Sequence, residues 1–277
     1  MTNLLLQSLI DSALSEDMAF NDLTAKATIT PEQLGKATII AKADGVLSGC
    51  VVAKQVFETM DESISQTWHK HDANKVQAGD LICELSGNMR MLLSTERTAL
   101  NFMQHLSGIS SATSLFVTAL NGTGCDIVDT RKTTPSLRVL EKQAVLHGGG
   151  KNHRLDLASG MLIKENHILA AGSITDAITA CQKLSPDTWI EVECETLDEV
   201  IEAVHACPDI ILLDNMAPAI VSQARQLVPS SILLEASGNI TLNNARAYAE
   251  TGINRIAVGA ITHSAPSLDL SMRVSQN

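Results

Sequence analysis

Apolar and polar positions change period several times along this chain. Leu6, Leu9, Ile10, Ala13 and Leu14 recur at helical spacing and predict an amphipathic opening helix. Lys36–Ala43 and Leu81–Leu85 read as strands, with turns at Asp44-Gly45 and Ala78-Gly79-Asp80. Ser94 or Thr95 stands where a cap is expected, ahead of Ala99, Phe102, Met103 and Leu106 on one helical face. Asn121-Gly122-Thr123-Gly124 ends that helix, and a domain boundary is expected near it. Beyond Cys125 the texture becomes regular. Apolar runs at Asp126–Asp129, Met161–Lys164, Trp189–Glu193, Ile210–Asp214, Ile232–Ala236 and Arg255–Gly259 are each short enough to be one strand. Between them lie helical stretches such as Leu197, Val200, Ile201 and Val204. Near-continuous apolar strands alternating with amphipathic helices predict a parallel sheet wrapped by helices. Six such units in succession favour a closed or nearly closed α/β barrel. No G-x-G-x-x-G follows the first strand, so a dinucleotide-binding sheet is not expected.

Each predicted barrel strand ends in groups able to do chemistry. The endings are Asp129-Thr130-Arg131-Lys132, Lys164-Glu165-Asn166-His167, Glu193, Asp214-Asn215, Ser237-Gly238-Asn239 and Gly259-Ala260. Barrel enzymes assemble their sites from those ends, because the loops there converge on one mouth. Ser237-Gly238-Asn239 leads from a strand into a helix, and glycine lets backbone N–H groups approach an anion. Phosphate on the last two strands of a barrel is a recurrent arrangement. Glu193 and Asp214 end neighbouring strands. Paired carboxylates there suit Mg2+ beside substrate phosphates, or a cationic transition state, or ion pairs with Arg131 and Lys164.

Charge sharpens this picture. The chain of 277 residues carries a formal net charge of −11. Yet Ile127–His167 holds seven cations (Arg131, Lys132, Arg138, Lys142, Lys151, Arg154, Lys164) against four anions (Asp129, Glu141, Asp156, Glu165). A basic island at a barrel mouth in an acidic protein points to an anionic small molecule. The acidic balance and an aromatic content of 3% argue against nucleic-acid binding. No apolar run approaches the roughly 20 residues of a membrane span, and the acidic N-terminal stretch does not read as a secretory signal. The six cysteines form no C-x-x-C pair and read as buried, reduced thiols of a cytoplasmic protein. Gly148-Gly149-Gly150-Lys151 is not a P-loop, because Asn152 and Val145 stand where that motif requires Ser/Thr and Gly.

Several stretches together resemble one family. They are Thr95–Asn101 (TERTALN), Asp129–Thr133 (DTRKT), Gly148–Arg154 (GGGKNHR), Ile163–Ile168 (IKENHI), Glu191-Val192-Glu193, Leu213–Met216 (LDNM), Glu235–Asn239 (EASGN) and Val258-Gly259-Ala260. In this order they are similar to quinolinate phosphoribosyltransferase, also called nicotinate-nucleotide pyrophosphorylase (carboxylating), over nearly the whole chain.

The resemblance implies an α/β sandwich domain over 1–110, an incomplete α/β barrel over 111–277, and a homodimer. It implies that quinolinate, phosphoribosyl pyrophosphate and Mg2+ are bound. Arg97 would reach the neighbouring subunit's site and help hold quinolinate. Arg131, His153 and Arg154 would take the two carboxylates, with Lys132 and Lys164 close to the substrates. Glu193 and Asp214 would serve the ribose and the metal, directly or through substrate or water. Ser237, Gly238, Asn239, Gly259 and Ala260 would hold the 5′-phosphate. The chain departs from the family pattern at Asp156, where Gly is expected, and at Ser159, where Asp is expected. It departs again at Ser136 (Gly expected) and Gln143 (Tyr expected).

Other readings stay open at this point. A paralogous pyrophosphorylase from molybdenum-transport loci resembles the Asp-Thr-Arg-Lys stretch but usually lacks the Ile-Lys-Glu-Asn-His run. A Schiff-base aldolase would use Lys164 but leaves the arginines unexplained. A catalytically silent phosphosugar-binding protein would need no complete set of reactive groups.

Overall fold

A computed structural model of the chain describes residues 3–275. The chain opens with α1 (Asn3–Glu16), a 3-10 turn (Ala19–Asn21), α2 (Leu23–Thr28), β1 (Leu34–Ala41), β2 (Gly45–Val46) and α3 (Cys50–Met60). It continues through β3 (Ser65–Trp68), β4 (Lys75–Val76), β5 (Leu81–Asn88) and α4 (Met89–Ala119). Next come β6 (Asp126–Val128), α5 (Arg138–His147), β7 (Met161–Ile163), α6 (Glu165–Ala171), α7 (Ile174–Leu184) and β8 (Ile190–Cys194). The last elements are α8 (Leu197–Ala206), β9 (Ile210–Asp214), α9 (Pro218–Leu227), β10 (Leu233–Ser237), α10 (Leu242–Ala249), β11 (Arg255–Ala257), α11 (Ala260–His263) and β12 (Leu270–Ser275).

Two compact units divide these elements. One takes the described residues up to Ala112, together with Val139–Gly149 and the described residues from Ala265 onward. The other takes Thr113–Arg138 and Gly150–Ser264. A single division at 110/111 therefore matches the first crossing closely. It misses the return of α5 residues and of β12 to the first unit.

The first unit is built on an antiparallel sheet of order β12-β1-β5-β3. Exposure alternates along β1, with Ala37, Ile39 and Ala41 buried, as a half-covered sheet requires. Ile10 and Leu14 of α1 and Val52, Val56 and Phe57 of α3 are buried, and α1 packs on α3. Helix α4 starts earlier than Ser94. Asn88 ends β5 and its side chain accepts from Arg90 N at 3.0 Å, so strand passes into helix without a loop. Thr95 Oγ1 instead donates back to Met91 O at 2.7 Å, inside the helix.

The second unit carries a parallel sheet of order β6-β11-β10-β9-β8-β7. All six predicted runs form these strands, within a residue or two at their ends. Among the described residues β6 and β7 do not pair, so the barrel is incomplete. β9 is buried along Ile210–Leu213, as a strand covered on both faces must be. The surrounding helices bury stripes at helical spacing: Ile174, Ala177 and Ile178 on α7, Val200 and Ala203 on α8, Val221 and Ala224 on α9. Their starts are fixed locally. Ser173 caps α7, and Thr196 and Glu199 form a reciprocal capping box on α8. Among the described residues, no helix is long and apolar enough to cross a membrane.

Candidate active site

The C-terminal ends of the barrel strands enclose a cavity of about 680 Å³. The two-residue period of a strand explains which side chains reach it. β7, β8, β9 and β10 each send one inward residue to the barrel interior and the next inward residue, two positions on, to the rim. Leu162 and Lys164 follow β7 in this way, as do Glu191 and Glu193 on β8, Leu212 and Asp214 on β9, and Glu235 and Ser237 on β10. The register sets Asp214 level with Ser237, while Glu193 stands opposite Leu212, one inward step below Asp214.

Arg131, Arg154, Lys164, Glu193 and Gly238 all line this one cavity, and Lys132, His153, Asp214, Ser237 and Asn239 join them. Gly259 and Ala260 are not among its lining residues, and β11 contributes Ala257 instead. Gly259 lies behind Lys132: a Cβ on it would come within 3.0 Å of the Lys132 Cδ. Thr262 Oγ1 donates to Lys132 O at 2.7 Å and anchors that loop further. Arg97 belongs to the first unit, exposed on α4, where it lines a hollow with Asp17, Asp22 and Ser94.

Two arginines mark one part of the cavity. Arg131 Nε is buried without a hydrogen-bond partner. The Arg154 guanidinium donates to Gly160 O at 3.0 Å. Burial, and then the charge of Arg131, press the Arg154 guanidinium below its ordinary pKa. Like charges held together, half out of water, create a demand for an anion. Asp156 meets that demand only through space: its charge acts on Arg131 and Arg154, with no ion pair to either among the described residues. Its Oδ1 accepts from Ala158 N and Ser159 N at 2.9 Å, while Ser159 Oγ accepts from Leu155 N at 3.0 Å. The two departures from the family pattern thus close one exposed turn between them.

The acidic part lies on β8 and β9. Glu193 is paired with Lys164. Burial, and then the Glu193 carboxylate, raise the Asp214 carboxyl above its ordinary range. Glu193, Glu195 and Asp214 offer oxygens within 4.8 Å of one another. A hard oxygen set whose members repel one another fits a hard divalent cation such as Mg2+.

The phosphate-type motif is held by backbone geometry. Gly238 has φ +91°, and a Cβ there would lie 2.2 Å from the Asn215 Oδ1. Asn215 and Asn239 also have positive φ, and Asn239 Nδ2 donates to Asn215 Oδ1 at 3.0 Å. Asn215 is a lining residue to which sequence reading gave no role.

Sequence reading also gave no role to the charged residues below the rim. Glu191 and Glu235 are fully buried. Arg255 pairs with both, its Nη2 lying 3.5 Å from Glu191 Oε1 and its Nε on Glu235. His153 Nε2 lies 2.7 Å from Glu191 Oε2. Burial and Glu191 push the Glu235 carboxyl well above its ordinary range, against the pull of Arg255. The available signal was a charged residue inside an apolar run, two positions before each rim group.

Two family models match the chain: quinolinate phosphoribosyl transferase, N-terminal domain, over residues 22–107, and its C-terminal domain over residues 109–273. A probable nicotinate-nucleotide pyrophosphorylase (carboxylating) of Bacillus subtilis strain 168 is 44% identical over 276 residues, covering 99% of this chain and 95% of that relative. A quinolinate phosphoribosyltransferase (decarboxylating) of Nicotiana tabacum is 35% identical, covering 97% of this chain and 82% of the relative. The solved nicotinate-nucleotide pyrophosphorylase of Francisella tularensis superposes with a TM-score of 0.96 at 40% identity, covering 99% of this chain and 98% of that one.

Proposed function

The chain belongs to the quinolinate phosphoribosyltransferase family, and we propose that its barrel mouth performs that family's reaction. The phosphoribosyl group of phosphoribosyl pyrophosphate passes to quinolinate, and nicotinate mononucleotide, CO2 and pyrophosphate are released, a step of NAD biosynthesis. The observation that carries this assignment of roles is the arginine pair. Arg131 presents a buried Nε without a hydrogen-bond partner, beside an Arg154 whose charged form is disfavoured by burial and then by Arg131. Quinolinate is a planar dicarboxylate, and guanidinium forks bind carboxylates two-pronged.

The remaining groups divide the work. Ser237, Gly238 and Asn239 hold the 5′-phosphate, with Gly259 and Ala260 at the neighbouring strand end. Glu193 and Asp214 face the ribose, where their charge favours the oxocarbenium-like state at C1 as the ring nitrogen attacks. The same carboxylates would hold Mg2+, which supplies positive charge toward the departing pyrophosphate. Lys132 and Lys164 sit at the cavity to neutralise the same leaving group, Lys164 poised by its pairing with Glu193. Ribosylation leaves the ring nitrogen cationic; that charge stabilises the carbanion left on the adjacent ring carbon when its carboxylate departs as CO2, and a proton from water then completes the nicotinate ring. The protein mainly positions and neutralises.

The working form in this reading is a cytoplasmic homodimer in which Arg97 of one subunit completes the quinolinate site of the other. Four buried, free thiols (Cys50, Cys83, Cys125, Cys194) suit a reducing compartment. The test supplies purified protein with Mg2+, phosphoribosyl pyrophosphate and either quinolinate or nicotinate. Quinolinate should yield stoichiometric CO2 and pyrophosphate. Equal turnover of nicotinate would contradict recognition through two carboxylates.

A further inference from the structure

Beneath the rim, the second unit buries four polar side chains in contact. Glu191 on β8 and Glu235 on β10 have no exposed surface, the His153 side chain is 7% exposed and the Arg255 side chain 17%. Arg255 lies between the two carboxylates as an ion-pair partner of both, its Nε and Nη2 making no hydrogen bond to either. His153 Nε2 lies 2.7 Å from Glu191 Oε2 and 3.8 Å from Glu235 Oε1. On the other side of the ring, Nδ1 accepts from Arg154 N at 2.7 Å. A backbone N–H can only donate. Nδ1 is therefore the bare nitrogen, and the ring proton sits on Nε2, donated to Glu191. The His153 N–H is itself held by Asp129 Oδ1 at 2.8 Å.

Three of these groups offer ligand atoms within 4.8 Å of one another, a spacing that a metal ion also accepts. The guanidinium of Arg255 already pairs with the carboxylates of two of them, so part of the cluster's charge is met within the protein. Burial alone does not account for the cluster. Two carboxylates and a guanidinium taken out of water are no more stable than apolar side chains of the same volume. At the same depth the neighbouring strands carry Leu162 and Leu212. The polar residues are those that lead toward His153 and, through it, to the backbone of Arg154.

We propose that Glu191, Glu235 and Arg255 form a positioning relay that locks His153 in one tautomer and thereby aims Arg154, so setting how tightly the site holds its dicarboxylate. The consequence for binding rests on the function proposed above, while the locked tautomer does not. In this arrangement His153 has both ring nitrogens engaged by protein and acts on the substrate through Arg154. The relay residues touch no reacting atom.

The test uses the full-length protein and its Arg255→Met variant, with His153→Asn and Arg255→Lys as controls. Nitrogen-15 shifts of the histidine rings, with the His153 signal identified by its loss in His153→Asn, read the tautomer without any substrate. Steady-state kinetics read the binding. The wild type should show His153 protonated on Nε2 alone. Arg255→Met should mix the tautomers and raise KM for quinolinate about tenfold, with KM for phosphoribosyl pyrophosphate unchanged. Arg255→Lys should recover part of the quinolinate affinity. If Arg255→Met fails to fold, Arg255→Met/Glu235→Gln removes the charge imbalance and carries the same measurement. A fall in kcat with both KM values intact, or an unaltered His153 tautomer in a folded variant, overturns the relay. If the wild type does not turn over quinolinate, the proposed function fails on its own, and the tautomer measurement still decides whether the relay exists.

Discussion

At the scale of single residues, the rim depends on a few positions that tolerate no substitute. Gly238 is one. Its φ of +91° is costly for any other residue, and a Cβ would press against the Asn215 side chain at 2.2 Å. Gly238→Ala should lower stability by about 1–2 kcal/mol and activity on the order of 100-fold, because the Asn215–Asn239 pair must move. Urea melts together with kinetics check both parts, and normal activity would detach this glycine from phosphate binding. Most rim residues were legible before any fold was known, because Arg131, Lys164, Glu193 and Asp214 each follow or end an apolar run. Glu191, Glu235 and Arg255 were visible only as charges in the wrong place. Nothing in a linear sequence states that three strands bring them to one point. The turn at Asp156 and Ser159 was likewise illegible, since each residue makes sense only beside the other.

At the scale of elements, periodicity carried the barrel and local caps set its edges. The six strands were legible because each is short, apolar and followed by a helical stripe. The start of α4 was not. Ser94 and Thr95 look like caps, yet Asn88, the last residue of β5, does the capping, and Ser94 Oγ donates to Asp22 Oδ2 at 3.1 Å. A cap shared between strand and helix leaves no loop to read. Asp22 itself caps α2 by accepting from Ala25 N at 2.9 Å. That bond above all, aided by Ser94, holds the Asp22 carboxyl below its ordinary pKa. A depressed carboxyl stabilises the fold above its unfolded value and loses that contribution as pH falls through the folded one. Asp22→Ala should cost about 1 kcal/mol at neutral pH. The gap to the wild type should narrow as pH falls below the ordinary aspartate value of about 3.9. Thermal melts of both proteins across pH 2 to 7 measure this, and a pH-independent gap would remove the charge from the explanation.

At the scale of the whole molecule, the proposed homodimer makes a sharper demand than either unit alone. Arg97→Ala and Lys164→Ala each disable one contribution to the proposed site. Mixed dimers of the two inactive variants should regain part of the wild-type rate, because one of their sites would carry both intact groups. No recovery in dimers verified by mass would remove Arg97 from the neighbouring subunit's chemistry. The overall division was legible to the extent that it follows a change of texture near residue 110. The two returns to the first unit were not, because β12 is a short strand whose partner, β1, lies more than two hundred positions earlier in the chain.

That pairing has a consequence for how the protein is made. β1 pairs with β5 on one edge and with β12, Leu270–Ser275, on the other. A ribosome that has delivered β1, β5 and β3 has therefore built a sheet whose β1 edge, covered in the finished protein, is still raw. Nearly the whole barrel must still be translated before the closing strand emerges. During that interval the backbone groups of Lys36–Ala41 offer themselves to any extended neighbour. A nascent chain stalled late in synthesis should accordingly lean on a chaperone in a way that the finished protein does not.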